Sequence, residues 1–480
     1  MPSLKKNFFY SALLTVANYI FPLITYPYVS RVLGVTNIGI CNFVDNIVNY
    51  FLVFSTMGIS ILGVREIAGA GTDQNKRNST FSSLLTLNAL TTFVAAVVLT
   101  IAIFVVPSLA EYRKLLFVGV AKLLANSLFL EWLFRGLEEF KFITSRSILI
   151  KSLYVVAVFL FIKEPGDYGI YYLLLTVAVV LNALVNAVYS RRFVRFSLHD
   201  LRLGDFAKPY FVLGVNFILT SMYTSFNVIC LGFMQDPEQV GFYTSATKVL
   251  SIFSALLTAC TTVLLPRMSA VLSEGKTDEF EAFINNTLKV FFLVGIPLVF
   301  LIEATAADII RVLSGAGYEG AILPLKTIAP LVLVVGLEEI LIVQVMMPRK
   351  MDRGVLRNSV LGAVTGTVLN LVLVKTFQAE GSAIVWLCSE CAVLCGAFFA
   401  VFGRSGSGFP GRVFLKDLLV YVPLLLILLV IQHLCGNLSA LLRLTVCAAI
   451  AGVYFLVVSC WIDRNPVILG LLQPLTRWKR

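Results

Sequence analysis

The sequence predicts an all-α membrane protein of about fourteen transmembrane helices, arranged as two pseudo-symmetric six-helix bundles around a central cavity plus two C-terminal helices. Three observations carry this. Apolar stretches of bilayer length fill the chain, Lys and Arg gather in every second connection, and the two halves repeat a pattern. A bilayer core needs roughly 20 apolar residues per helix. Stretches of that length begin near Asn7, Ile38, Phe81, Leu115, Ser147, Tyr168, Pro209, Gly241, Val290, Ala321, Val355, Gly381, Leu418 and Leu441. Composition agrees, with 58% hydrophobic and only 14% charged residues over 480 positions, since a soluble core could not hide that much apolar surface. The mean hydropathy of +0.89 points the same way.

The net charge of +11 would suggest nucleic acid in a soluble protein. Here it reads as retention of cations on the cytoplasmic side. With the N-terminus inside, inward connections hold about 27 Lys and Arg and outward ones about 8, a strong positive-inside bias. Both termini are therefore expected in the cytoplasm of a multi-pass inner-membrane protein. A cleavable signal peptide is not expected: the first apolar stretch is too long, carries Pro22 and Pro27, and is followed by no small-residue cleavage site. Lys122, Lys151 and Lys248 remain within or near the spans.

The longest basic connection, 191–208 (RRFVRFSLHDLRLGDFAK), follows the sixth span. It divides the chain into an N-terminal lobe (1–195), a cytoplasmic linker (196–206) and a second lobe (207–404). Residues 405–480 add two helices and a basic tail. The lobes share an order of signals. Asn18, Leu33-Gly34 and Gly39 in the first half match Asn216, Leu231-Gly232 and Gly241 in the second. The basic loops 135–146 (RGLEEFKFITSR) and 346–357 (MMPRKMDRGVLR) also correspond. An even number of spans per half keeps the repeats parallel, related by an axis along the membrane normal.

The chemistry must lie among polar groups inside the spans. In the second span Asn42, Asp45, Asn46 and Asn49 fall at i, i+3, i+4 and i+7, on one helix face. A carboxylate at that depth costs about 2.5–3.5 kcal/mol on insertion scales, so it should face protein or water. The eighth span repeats the spacing with Thr244, Thr247, Lys248 and Ser251. Aligned on Gly39 and Gly241, Asp45 falls opposite Thr247 and Asn46 opposite Lys248. Thinner stripes mark the first span (Ser11, Thr15, Asn18, Thr25) and the seventh (Asn216, Thr220, Tyr223, Thr224, Asn227). Two readings fit: the four helices line one hydrated cavity, or the groups only hydrogen-bond between packed helices. Repetition with a charge in each half favours the cavity. Arg31, ending the first span, suits either an anion at the cavity mouth or an interfacial anchor. Lys122, Glu131, Glu338, Glu339 and Glu390 read first as structurally paired or snorkelling charges.

Other chemistries lack support. No P-loop, zinc motif or nucleophile pattern is present, and the outward connections are short for a polymerase or glycosyltransferase. Nine cysteines sit mostly in apolar segments. Cys388, Cys391 and Cys395 share a helix face, but three thiols with no histidine nearby read as packing rather than as a metal site. No enzyme activity, metal or cofactor is expected.

Residues 26–39 (YPYVSRVLGVTNIG) and 57–68 (MGISILGVREIA) resemble the opening of Wzx-type bacterial polysaccharide flippases. These belong to the multidrug/oligosaccharidyl-lipid/polysaccharide exporter superfamily. Residues 314–323 (SGAGYEGAIL), Asn370 and 380–390 (EGSAIVWLCSE) extend the resemblance over nearly the whole chain. The resemblance implies an O-antigen or capsule repeat-unit flippase with a cationic central cavity. Its substrate would be an undecaprenyl-pyrophosphate-linked oligosaccharide, moved by ion-coupled alternating access. Lys248 would attract the pyrophosphate, Arg31 would assist, and Asp45 would be the ion site or the counter-charge of Lys248. Expected partners are the lipid-linked oligosaccharide, membrane lipids, and polysaccharide polymerase and chain-length proteins. The rival readings are a drug or small-cation antiporter of the same superfamily, and a membrane enzyme or scaffold of glycan assembly.

Overall fold

The computed structural model describes residues 4–199, 201–405 and 409–462, without the side chains of 4, 5, 8, 216, 223, 253–267, 269, 270, 404, 405, 461 and 462. All regular structure among the described residues is helical. Before the long basic connection come α1 (Leu4–Thr56), α2 (Ile59–Ala70), α3 (Gln74–Val105), α4 (Arg113–Asn126), α5 (Glu131–Gly136), α6 (Phe140–Phe161) and α7 (Tyr168–Ser190). After it come α8 (Leu203–Thr224), α9 (Phe226–Met234), α10 (Pro237–Ser273), α11 (Thr277–Leu313), α12 (Ile322–Ile328) and α13 (Leu331–Glu339). The chain then runs through α14 (Asp352–Leu369), α15 (Lys375–Ser405), α16 (Gly411–Leu434) and α17 (Ala440–Val457). π-helical turns, Ile340–Met346 and Asn370–Val374, follow α13 and α14.

Among the described residues, nine helical stretches are long and apolar enough to cross a membrane, or eleven if two bent pairs count as spans. The two longest, Phe9–Ala70 and Asp352–Gly403, run 62 and 52 residues. Each exceeds two bilayer crossings of roughly 20 residues. Each also breaks where the backbone leaves helical geometry, at Gly34 (φ 76°) and Gln378 (φ 54°). Glycine adopts the left-handed region freely, whereas Gln378 is strained there. Divided at these breaks, and with the 37-residue α10 included, the helices supply one span or bent pair for each of the fourteen apolar stretches. The all-α membrane fold expected from the sequence is the fold observed.

Two compact units emerge from the packing. The first is Met1–Thr244 with Ala363–Val385, and the second is Ser245–Gly362 with Trp386–Arg480. In the first, Trp132 stacks on Phe81 with ring centroids 6.0 Å apart. Its indole also covers Gly63, where a Cβ would overlap the ring. Tyr210 of α8 ties this unit further: its hydroxyl donates to the Ser55 carbonyl at 3.0 Å and lies 3.0 Å from the Thr91 hydroxyl. Ser55 and Thr92 hydroxyls meet at 2.5 Å, so the end of α1 is hydrogen-bonded to both α3 and α8.

The second unit has a charged clamp. Asp308 of α11, 1% exposed, accepts from Nε of Arg443 at 2.8 Å, from Nη2 of the same residue, and from Gln432 at 2.7 Å. One carboxylate thereby joins α11, α16 and α17. Removing one member of a buried pair leaves the other without compensation, which costs about 3–5 kcal/mol. Asp308→Ala should therefore lower the thermal midpoint in detergent by several degrees, while Asp308→Asn, which keeps an acceptor, should lower it less. Equal melting of Asp308→Ala and wild type would remove the clamp from the stability argument.

Candidate functional site

The polar stripe of the second span lies on α1 beyond Gly34. Asn42, Asp45, Asn46 and Asn49 are all half-exposed, whereas Phe43, Val44, Ile47 and Val48 between them are buried. Polar groups therefore occupy the open side of a membrane helix and apolar groups the packed side. Lipid would favour the opposite arrangement, because each unsatisfied polar group in hydrocarbon costs several kcal/mol.

Asp45 is the hub of the stripe. Its Oδ1 accepts from Nζ of Lys122 in α4 at 2.6 Å, and its Oδ2 accepts from Nδ2 of Asn49 at 3.0 Å. Lys122 also donates to Oδ1 of Asn49 at 3.1 Å. The side chains of Lys122 and Asp45 are 12% and 27% exposed, so the pair borders open space without being fully solvated. Asn46 donates to the Asn42 carbonyl one turn back at 2.8 Å.

Asn42 reaches across to α10, donating to Oγ1 of Thr244 at 2.8 Å. The helices touch there because both carry glycine. A Cβ on Gly39 would overlap the Pro237 carbonyl oxygen, and one on Gly241 would overlap the Val35 carbonyl oxygen. The contact is reciprocal, and the repeat alignment of the sequence pairs the same positions.

The remaining expected positions divide. Asn18 is exposed on α1, and its Oδ1 accepts from Nζ of Lys151 in α6. Arg31 is exposed and donates to the Pro27 carbonyl at 2.6 Å. Thr220 and Thr224 are half-buried, and the Thr224 hydroxyl donates to the Thr220 carbonyl at 3.1 Å. The side chain of Asn216 lies outside the described residues. Asn227 is fully buried, accepting at 2.5 Å from Nδ2 of Asn370 in the π-helical turn, so its amide serves a helix–helix hydrogen bond.

In the second unit Thr247 and Lys248 are half-buried and Ser251 is exposed, while Ala246, Val249 and Leu250 are buried. The α10 stripe shows the polar-open, apolar-packed division of α1 only from Thr247 onward, because Thr244 and Ser245 are buried at 5% and 1% exposure. Glu390, 6% exposed, accepts from the Trp386 indole at 2.9 Å. Glu338 lies against Glu390.

Lys122 is the residue whose importance the sequence understated. It was legible as a charge inside the fourth span, but nothing in sequence spacing aims an α4 side chain at Asp45 of α1. A cavity of about 280 Å³ in the first unit was not legible at all. It is lined by Ser60, Asn88, Asn126, Glu131, Trp132 and Arg135, from three segments remote in sequence. No group of three or more metal-ligating side chains occurs among the described residues.

Residues 4–272, more than half of the chain, match the family described as "Polysaccharide biosynthesis protein". The chain belongs to this family. Two relatives carry the name "Putative O-antigen transporter". The one from Escherichia coli (strain K12) is 26% identical over 397 residues, 82% of this chain and 95% of the relative. The one from Shigella dysenteriae is 23% identical over 399 residues, 82% of this chain and 98% of the relative. The fold is that of lipid II flippase MurJ in its inward closed conformation, with a TM-score of 0.81, 14% identity, and coverage of 96% and 100% of the two chains. A MATE transporter in complex with MaD3S matches at 0.54, with 14% identity and coverage of 82% and 94%. The polysaccharide biosynthesis family, the relatives named as O-antigen transporters and the MurJ-like fold bear out the resemblance read from the sequence motifs. The chain is a multi-pass membrane protein of transporter fold.

Proposed function

We propose that this protein is a flippase that carries an undecaprenyl-pyrophosphate-linked oligosaccharide across the cytoplasmic membrane by ion-coupled alternating access, with both termini in the cytoplasm. The observation that carries this reading is the inverted burial of the α1 stripe, where amides and a paired carboxylate face open space inside a membrane helix. Amides suit sugar hydroxyls, because each can donate and accept at once. The relatives named as O-antigen transporters support a glycan cargo.

In this reading Asn18, Asn42, Asn46, Asn49, Thr220, Thr224, Thr244, Thr247 and Ser251 contact the glycan. Asn216 and Asn227 complete the repeat. Lys248 and Arg31 attract the pyrophosphate. Asp45 is the coupling carboxylate, with Lys122 as the cation that competes with the transported ion for it. The two repeat-related lobes move relative to each other during transport, and polymerase and chain-length proteins take up the delivered units.

Lys248→Ala should reduce surface glycan to about a tenth or less at normal expression, the loss expected when one charge-assisted contact to a phosphate is removed. Asp45→Ala should impair export as well. Both variants exporting at the wild-type rate would separate the stripe from transport. The MATE neighbours raise the drug-antiporter reading. Accumulation of lipid-linked oligosaccharide in the Lys248→Ala strain, without a change in resistance to cationic drugs, supports the flippase against it.

A further inference from the structure

We propose that the basic recess at the start of α14 binds the phosphate headgroup of an anionic membrane phospholipid. The recess has a volume of about 650 Å³ and is lined by Lys350, Asp352, Arg353 and Arg357, with Phe399 and Ala400 of α15 beside them. Three basic side chains thus face one acidic one.

The arrangement is costly without an anion. Arg353 and Arg357 are one turn apart on the same helix face, where like charges repel. They also stand in the first turns of α14, where the positive end of the helix dipole disfavours cations. Neighbouring Arg349 is accounted for: it lies 3.9 Å from Glu281 and 5.3 Å from the Phe280 ring. Lys350, Arg353 and Arg357 form no ion pair among the described residues. Lys350 also has a left-handed backbone, φ 55°, an unusual conformation for a lysine.

The neighbourhood identifies the anion as a lipid. The face carrying Arg353 and Arg357 continues down α14 through Val360, Leu361, Val364 and Val368, which are 40%, 42%, 56% and 54% exposed. In a membrane protein that exposed apolar stripe meets acyl chains. The guanidinium groups lie at its end, at headgroup level. Phe399 is 68% exposed beside them, and α15 is held close there because Gly396 packs against Asn358. Retention of cations for topology alone requires neither a recess nor alignment with a lipid-facing stripe.

The test uses the full-length protein in detergent, titrated with phosphatidylglycerol, phosphatidylcholine or inorganic pyrophosphate, with thermal midpoint and lipid adducts in native mass spectra as readouts. Phosphatidylglycerol should raise the midpoint and phosphatidylcholine should not. The double variant R353Q/R357Q should bind phosphatidylglycerol about 30-fold more weakly, since each cation near an anionic headgroup contributes roughly a fivefold factor. R353K/R357K should retain most of the binding, which separates lost charge from lost folding. An equal phosphatidylglycerol effect in wild type and R353Q/R357Q overturns the proposal. So does a pyrophosphate effect matching that of the lipid, which would make the site one for a soluble anion. No readout depends on transport, so the outcome stands apart from the cargo assigned above.

Discussion

Lys122→Ala should both abolish export and destabilise the protein, and adding Asp45→Asn should restore stability but not export. Lys122 and Asp45 are 2.6 Å apart, and Asn49 accepts from the same ammonium. Deleting the lysine removes the cation from a carboxylate in a membrane-embedded site and leaves the Asn49 amide, at 3.0 Å, beside it. Losing one partner of a fully buried pair costs about 3–5 kcal/mol. With Asp45 27% exposed, water compensates in part, so a loss of about 2–3 kcal/mol is expected. Neutralising Asp45 as well removes the uncompensated charge and keeps the amide contact to Asn49. The melting temperature of the double variant should therefore return most of the way to wild type. Identical melting of single and double variants would show that the pair is solvated enough to carry no stability. Export by the double variant would show that the ion pair is structural and that coupling lies elsewhere.

The second large effect is expected at the glycine crossing of α1 and α10. Val35 and Pro237, Gly39 and Gly241, and Asn42 and Thr244 are each 202 positions apart, the repeat offset that places equivalent residues on the two helices. A side chain at Gly39 or Gly241 must displace a backbone carbonyl, which cannot rotate away as a flexible side chain could. Overpacking of this kind costs about 1–3 kcal/mol or more. Gly39→Val should be worse than Gly39→Ala, and should break the Asn42–Thr244 hydrogen bond as the helices separate. Because both glycines serve one crossing, Gly39→Ala and Gly241→Ala together should destabilise by less than the sum of the single effects. A double-mutant cycle in thermal or denaturant stability measures this. Strict additivity would mean that the two positions relax independently and that the crossing is not a single unit.

Both effects rest on residues visible in the sequence, but visible to different degrees. The spans were legible because bilayer thickness sets helix length directly, so apolar run length needs no tertiary information. Asn42, Asp45, Asn46 and Asn49 were legible as one face because helical periodicity is local. The match of Asn42 with Thr244 followed from aligning the two halves, and the hydrogen bond between them shows that these two residues meet. The partner of Asp45 was not legible: the repeat drew attention to Lys248, while α4 delivers Lys122 from 77 positions away. Asn227 shows the same limit. Its place in a polar stripe was clear from spacing, yet burial against Asn370 depends on the packing of a π-helical turn 143 positions distant.

The basic recess of α14 follows the same pattern. Arg353 and Arg357 stand in the sequence as one more cluster of inward cations, and only the packing of α15 at Gly396 places Phe399 beside them. Sequence alone determined the membrane class, the span positions, the polar faces and the family, because length, periodicity and motif order act locally along the chain. The tertiary structure decided which charge meets which. Side-chain contacts across helices depend on crossing points and rotations set by packing at Gly39, Gly241 and Gly396, and these distances are not encoded in spacing along any single helix.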